Sequence, residues 1–385
     1  MVVKKILRLA VAMLAAVLML SAYVSAEDTT EEKIEFNEEY RDMLDALPED
    51  IAQLLPEKLY SDNASDIVEG AKEVVSFGYI VRIMLEYLGL ELASALKILA
   101  TLIGRLVLAA TLNALKASLS SVAVSEAFSI CASCAVFLTA VASQYSIIES
   151  VVQFFKRLSV FVNAMIPLMS VLYAMGGNVA GAVVNHSSLM IFMTILENLC
   201  AATVMPVAGI CIAFSAAGAL APNMGLGGIS GLFKKMYTNA LTFTMTVFTT
   251  VMAAQSLLAS KADGIAGKAA KFAVGNLVPL VGSALAGTLG TVSTSIEYIR
   301  SGVGVVGIVV IILMLLPTLL TLLVTKYVFS LAAGAADILG CGSEKKIISE
   351  MAGVNGFLMA SACICSVTLI FMLTIFAKCS AAAGG

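Results

Sequence analysis

Seven stretches free of Asp, Glu, Lys and Arg constrain this chain more than any motif does: 127–148, 158–196, 198–233, 236–260, 272–296, 301–325 and 351–377. A membrane-spanning helix needs about 20 consecutive, mostly apolar residues, and every one of these stretches is long enough. Only 13% of the 385 residues are charged and 60% are hydrophobic, whereas soluble domains carry about 25% charged residues. An ordinary cytosolic enzyme is excluded on that ground. The reading is an all-α, polytopic helical membrane protein. Gly176-Gly177-Asn178 breaks the second stretch, and Pro222-Asn223-Met224-Gly225 ends the third in a loop signal. The spans then fall near 98–115, 122–143, 158–175, 179–199, 201–221, 237–259, 276–296, 302–325 and 353–376. Residues 77–92 carry Arg82, Glu86 and Glu91 and read as interfacial or as a half-span. Eight to ten crossings are expected.

The charges are segregated. Residues 27–75 hold 16 of the 26 acids and four bases, a net charge of −12, while 1–26 contribute +3 and 76–385 contribute +6. Three segments follow. Residues 1–26 read as a signal peptide: Lys4, Lys5 and Arg8, then apolar Leu9–Leu20, then small Ser25 and Ala26. Residues 27–75 read as an acidic extracytoplasmic segment. Its Leu44, Leu47, Ile51, Leu54, Leu55 and Leu59 recur at helical spacing, and Pro48 and Pro56 cut it into short pieces. Its acids are either a solvated face or a docking surface. Residues 76–385 form the transmembrane domain. Lys156-Arg157, Lys234-Lys235, Lys261, Lys268 and Lys271, and Lys345-Lys346 favour the cytoplasm, but no simple alternation of spans puts all of them there. The basic stretches Ser146–Leu158 and Ser260–Ala273 suit helices lying flat on the membrane.

After each of those basic stretches comes a similar phrase. Phe161, Asn163 and Pro167-Leu168 are echoed by Phe272, Asn276 and Pro279-Leu280, about 112 residues later. Pro-interrupted helices at corresponding positions mark repeat-built transporters; two ordinary helices beginning with Asn and Pro are the plainer reading. A proline leaves one helical carbonyl unbonded, so Pro167, Pro206, Pro279 and Pro317 are the candidate helix breaks.

The polar candidates for a pathway are Asn163, His186, Glu197, Asn198 and Asn276, because each lies in or beside an apolar run. A carboxylate at membrane depth costs at least a few kcal/mol. Glu197 is therefore either an ion, proton or substrate contact, or part of a tight interfacial turn. His186 is either a proton relay or a packing hydrogen-bonder. In an antiparallel hairpin turning near Ser118, Arg105 faces residue 132, about 9 Å of helix rise from Glu126. Gly282, Ala286 and Gly290 form a small-residue ladder that lets another helix approach closely.

Other chemistry is sparse. A single His excludes an HExxH site, and the Gly225–Gly231 stretch lacks the Gly-Lys-Ser/Thr ending of a phosphate loop. Cys131-Ala-Ser-Cys134 lies mid-span, without the context a redox motif needs. A net charge of −3 with no Lys/Arg run beyond two excludes a nucleic-acid binder. No catalytic residue, metal or cofactor is expected; the partner this composition requires is membrane lipid.

The order of features resembles the stage III sporulation protein AE family of endospore-forming Firmicutes. The most specific part is Lys271-Phe-Ala-Val-Gly-Asn276-Leu-Val-Pro279-Leu-Val-Gly282-Ser-Ala-Leu-Ala286, running on into a Gly/Ser/Thr-rich span. The resemblance implies a permease-like, non-catalytic protein of the mother-cell membrane facing the forespore. It further implies membership of a channel or feeding complex with an ATPase and ring-forming single-span proteins as partners. A free-standing secondary transporter for a small metabolite or ion is the alternative. In place of either, an intramembrane hydrolase would need a nucleophile–base pairing that the sequence does not offer.

Overall fold

The structure is a computed structural model and describes residues 38–61, 64–74, 76–116, 122–175, 179–220, 227–277 and 282–378. The expected signal segment, residues 1–26, and Pro279 lie outside the described residues. Among the described residues every regular element is helical. Four short pieces come first: α1 (Glu38–Asp45), α2 (Glu49–Ala52), a 3₁₀ turn (Glu57–Tyr60) and α3 (Ala64–Val74). Pro48 and Pro56 stand immediately before α2 and the 3₁₀ turn, with φ of −58° and −62°. Each is where a missing N–H is tolerated, at the start of a helix.

These pieces bury Met43, Leu44, Leu47, Ile51, Leu55 and Leu59, and turn Asp42, Asp45, Glu49 and Glu57 outward. The buried Tyr40 hydroxyl donates to the Leu59 carbonyl at 2.9 Å, and burial pushes its phenol pKa up, which keeps the donor proton in place. The described part of the acidic segment, residues 38–61 and 64–74, is not a free tail. α1 packs on α5 and α3 on α9, and Arg157 of α5 reaches Asp50 at 3.1 Å. Both partners of that ion pair are about half exposed, so it contributes at most about 1 kcal/mol, and apolar burial does most of the holding. A cavity of about 300 Å³ lies at this junction, lined by Asp50, Ser150, Arg157, Pro317 and Thr321 among others.

The long helices are α4 (Phe77–Lys116), α5 (Val122–Met175), α6 (Val179–Ile195), α7 (Val204–Leu220), α8 (Gly227–Leu277), α9 (Gly282–Ile338) and α10 (Gly342–Lys378). Among the described residues, five helical stretches are long and apolar enough to cross a membrane: Gly78–Leu115, Ala127–Leu172, His186–Ala219, Gly302–Ile338 and Gly342–Ile375. The sequence reading divided some of these stretches further because charges were taken as span ends. Residues 122–166 contain neither Gly nor Pro, so the helix runs through Lys156-Arg157 and joins 122–143 to 158–175 in one element. Ser146–Leu158 and Ser260–Ala273 are likewise internal to α5 and α8. At 1.5 Å per residue the 54 residues of α5 rise about 81 Å, more than twice the ~30 Å hydrocarbon thickness.

The α9–α10 hairpin is the core. Its two apolar windows are 83% and 67% buried, against 17–28% for the other three. Gly340 makes the hairpin turn with φ +71°. The Cys341 N–H bonds the Ala336 carbonyl at 2.8 Å, a Schellman closure of α9, and Lys345 bridges back to Asp337 at 2.8 Å.

Candidate functional site

Glu197 and Asn198 lie in a single π turn, Leu196–Ala201, between α6 and α7. Pro206 explains why the helix is interrupted here. It has no N–H for the Ala202 carbonyl, and it sits in the first turn of the restarted helix, where proline is tolerated. The wide turn is marked by the Ala202 N–H bonding the Glu197 carbonyl at 3.0 Å. The displaced Leu199 carbonyl accepts from the side chains of both Thr203 and Tyr237. The chain does not reverse at Glu197; α6 and α7 continue as one apolar run, His186–Ala219. The Glu197 carboxylate accepts from Ser159 of α5 at 2.8 Å, and the Asn198 amide donates to the Thr194 carbonyl at 2.9 Å. Both side chains are on the outer surface of the chain. Single π turns are frequent at functional sites, and this one presents an acid.

The other sequence candidates scatter. Asn163 and Pro167 are on the outer face of α5, which continues through Pro167. His186 is exposed, with Nδ1 3.5 Å from the Ser170 hydroxyl. Pro317 is half-buried inside α9 at the junction cavity. Asn276 falls in the last turn of α8, and Gly282, Ala286 and Gly290 in the opening turns of α9. Arg105 donates to the Ala135 carbonyl at 3.1 Å, close to the residue 132 that the hairpin register gave it.

The structure instead gathers polar side chains around α10. Buried Ser133 of α5 donates to buried Glu344 at 2.7 Å. The Gln144 amide of α5 donates to the Asn355 oxygen at 2.6 Å, and the Asn355 amide donates to Thr325 of α9 at 2.9 Å. Lys234 of α8 pairs with Glu350 at 2.6 Å, both side chains 16% exposed, and Ser230 adds a hydrogen bond to the same carboxylate. Both α5–α10 contacts join residues 211 apart in sequence. An equal offset at two levels means the helices run parallel and in register. Counting charges could not find Gln144, Thr325 or Asn355, because none is charged. Lys234, read from the sequence only as a basic flank, is also a largely buried ion-pair partner. The signal that could have found them is spacing: Ser133 and Gln144 are 11 residues apart, as are Glu344, Asn355 and Ser366, and 11 residues is close to three helical turns.

Long apolar helices around a polar-lined hairpin define a multi-pass helical membrane protein. A family model described as stage III sporulation protein AE matches residues 61–382, and the chain belongs to that family. Among curated proteins, the stage III sporulation protein AE of Bacillus subtilis (strain 168) is 23% identical over 220 residues, 57% of this chain and 55% of that protein. The chain thus spans about half the length of that relative. No solved structure matches.

Proposed function

We propose that the chain is a permease-like, non-catalytic membrane subunit of the channel complex between mother cell and forespore. It sits in the mother-cell membrane with residues 27–75 on the extracytoplasmic side. Its partners are an ATPase, ring-forming single-span proteins and membrane lipid, and it uses no nucleic acid and no cofactor of its own. The observation that carries this reading is the family match across residues 61–382. The docked acidic segment supports it: its outward acids offer a surface for the other subunits. A free-standing secondary transporter is the second reading, favoured by polar contacts that lie wholly within one chain.

Affinity purification of the tagged chain from sporulating cells separates the two. A subunit brings down the ATPase and the single-span proteins, and its deletion abolishes heat-resistant spores without slowing vegetative growth. A chain recovered alone, with a growth defect on particular nutrients, contradicts the subunit reading.

A further inference from the structure

The hydrogen-bond chain that crosses the α5–α10 contact runs from Gln144 through Asn355 and Thr325 to the Thr321 carbonyl. The Thr321 carbonyl can only accept, and it takes the Thr325 hydroxyl proton at 2.6 Å. The Thr325 oxygen must then accept from the Asn355 amide, which turns the Asn355 oxygen toward Gln144 and makes the Gln144 amide the donor. Gln144 Oε1 is left at the end of the chain, fully buried and with no hydrogen-bond partner among the described residues. With the Thr325 hydroxyl on the Thr321 carbonyl, neither amide can flip without setting two acceptors against each other. A buried acceptor left bare costs about 1–3 kcal/mol, and such a group calls for a donor or a cation.

Gln144 is not alone on this seam. Ser366 lies on the face of α10 that carries Glu344 and Asn355, and its hydroxyl is buried with no partner among the described residues. At the other end Glu344 is 2% exposed and held by the neutral Ser133 hydroxyl, with no Lys or Arg in ion-pair distance among the described residues. From Glu344 to Ser366 is 22 residues of one helix, a rise of about 33 Å, which matches the ~30 Å hydrocarbon thickness.

We infer that the α5–α10 seam is a path for a small monovalent cation, with Gln144 Oε1 and the Asn355 oxygen as its central site and Glu344 at one end. The site supplies neutral oxygens at the centre and a buried carboxylate at one end, which selects against anions. It is distinct from the π turn at Glu197. It does not rest on membership of the channel complex, because both helices belong to one chain.

The test is cation flux through the full-length chain, purified and reconstituted alone into liposomes. Protons are followed with an entrapped pH dye and sodium with ²²Na⁺, each under an imposed membrane potential. The wild-type chain should pass one of the two at a rate at least tenfold above protein-free liposomes; which one identifies the ion. Gln144→Met and Asn355→Leu should lower that flux about tenfold at unchanged helical content. Ser366→Ala removes a single oxygen, too small a change to prevent folding, and should lower it several-fold if the larger replacements do not insert. Wild-type liposomes no leakier than protein-free ones overturn the inference, as does flux that Ser366→Ala and the folded central variants leave unchanged. Neither result bears on the purification of the chain with its partners.

Discussion

Single residues in this chain divide into those that hold helices together and those that present chemistry. Asn355 falls in both groups: it bridges α5 and α9 through two hydrogen bonds, and its oxygen belongs to the central site inferred for the seam. Interhelical hydrogen bonds in membranes are worth about 0.6 kcal/mol on average and about 1.7 at most. Asn355→Ala removes two and leaves Gln144 with both amide ends unpaired, so it should cost about 1–3 kcal/mol in thermal unfolding of the detergent-solubilised chain. Gly340 is held by its backbone. Among the described residues no side chain or backbone atom crowds the place a Cβ would take, and φ is +71°; Gly340→Ala should therefore cost only the left-handed penalty, about 1 kcal/mol, by the same assay. Glu197 presents chemistry: its carboxylate is on the outer surface of the chain and accepts from the Ser159 hydroxyl. If it meets a partner or a pathway there, Glu197→Gln should lower spore yield at an unchanged membrane protein level. Wild-type yield would remove Glu197 from the functional residues.

Among the elements, α5 and α10 set the register of the bundle. Their parallel packing makes a sharp expectation in a chain stripped of native cysteines. Ser133→Cys with Glu344→Cys should cross-link under mild oxidation, whereas Ser133→Cys with Asn355→Cys should not, because 11 residues separate the levels by about 16 Å. The reverse pattern would shift the register by three turns. The elements also show what the residues alone disclose. Apolar runs and the Pro-cut acidic segment were plain in the sequence, since burial of Leu44, Leu47 and Ile51 follows from their spacing. A helix break was plain in the sequence at Pro206, whereas the end of α9 before Gly340 was not read from it. Where neither Gly nor Pro occurs, as across Lys156-Arg157, charge suggests a boundary that the backbone ignores. The seam escaped notice because Gln144, Thr325 and Asn355 carry no charge and lie 30 to 211 residues from their partners. Only the fold states which distant levels meet.

For the whole molecule, the account is of a membrane protein whose core helix α10 also carries its polar seam with α5. Polar groups inside an apolar bundle either fix packing or serve passage, and apolar replacement distinguishes these. Replacing both partners of a buried hydrogen bond with apolar residues of like shape is nearly neutral for stability. A seam that only packs should therefore tolerate Gln144→Met together with Asn355→Leu, whereas a seam that works should not. The most direct measurement is the heat-resistant spore count, beside a membrane immunoblot, in cells whose only copy carries both substitutions. The account expects a wild-type amount of protein in the membrane with spore counts reduced at least a hundredfold. Wild-type spore counts from that strain would contradict it.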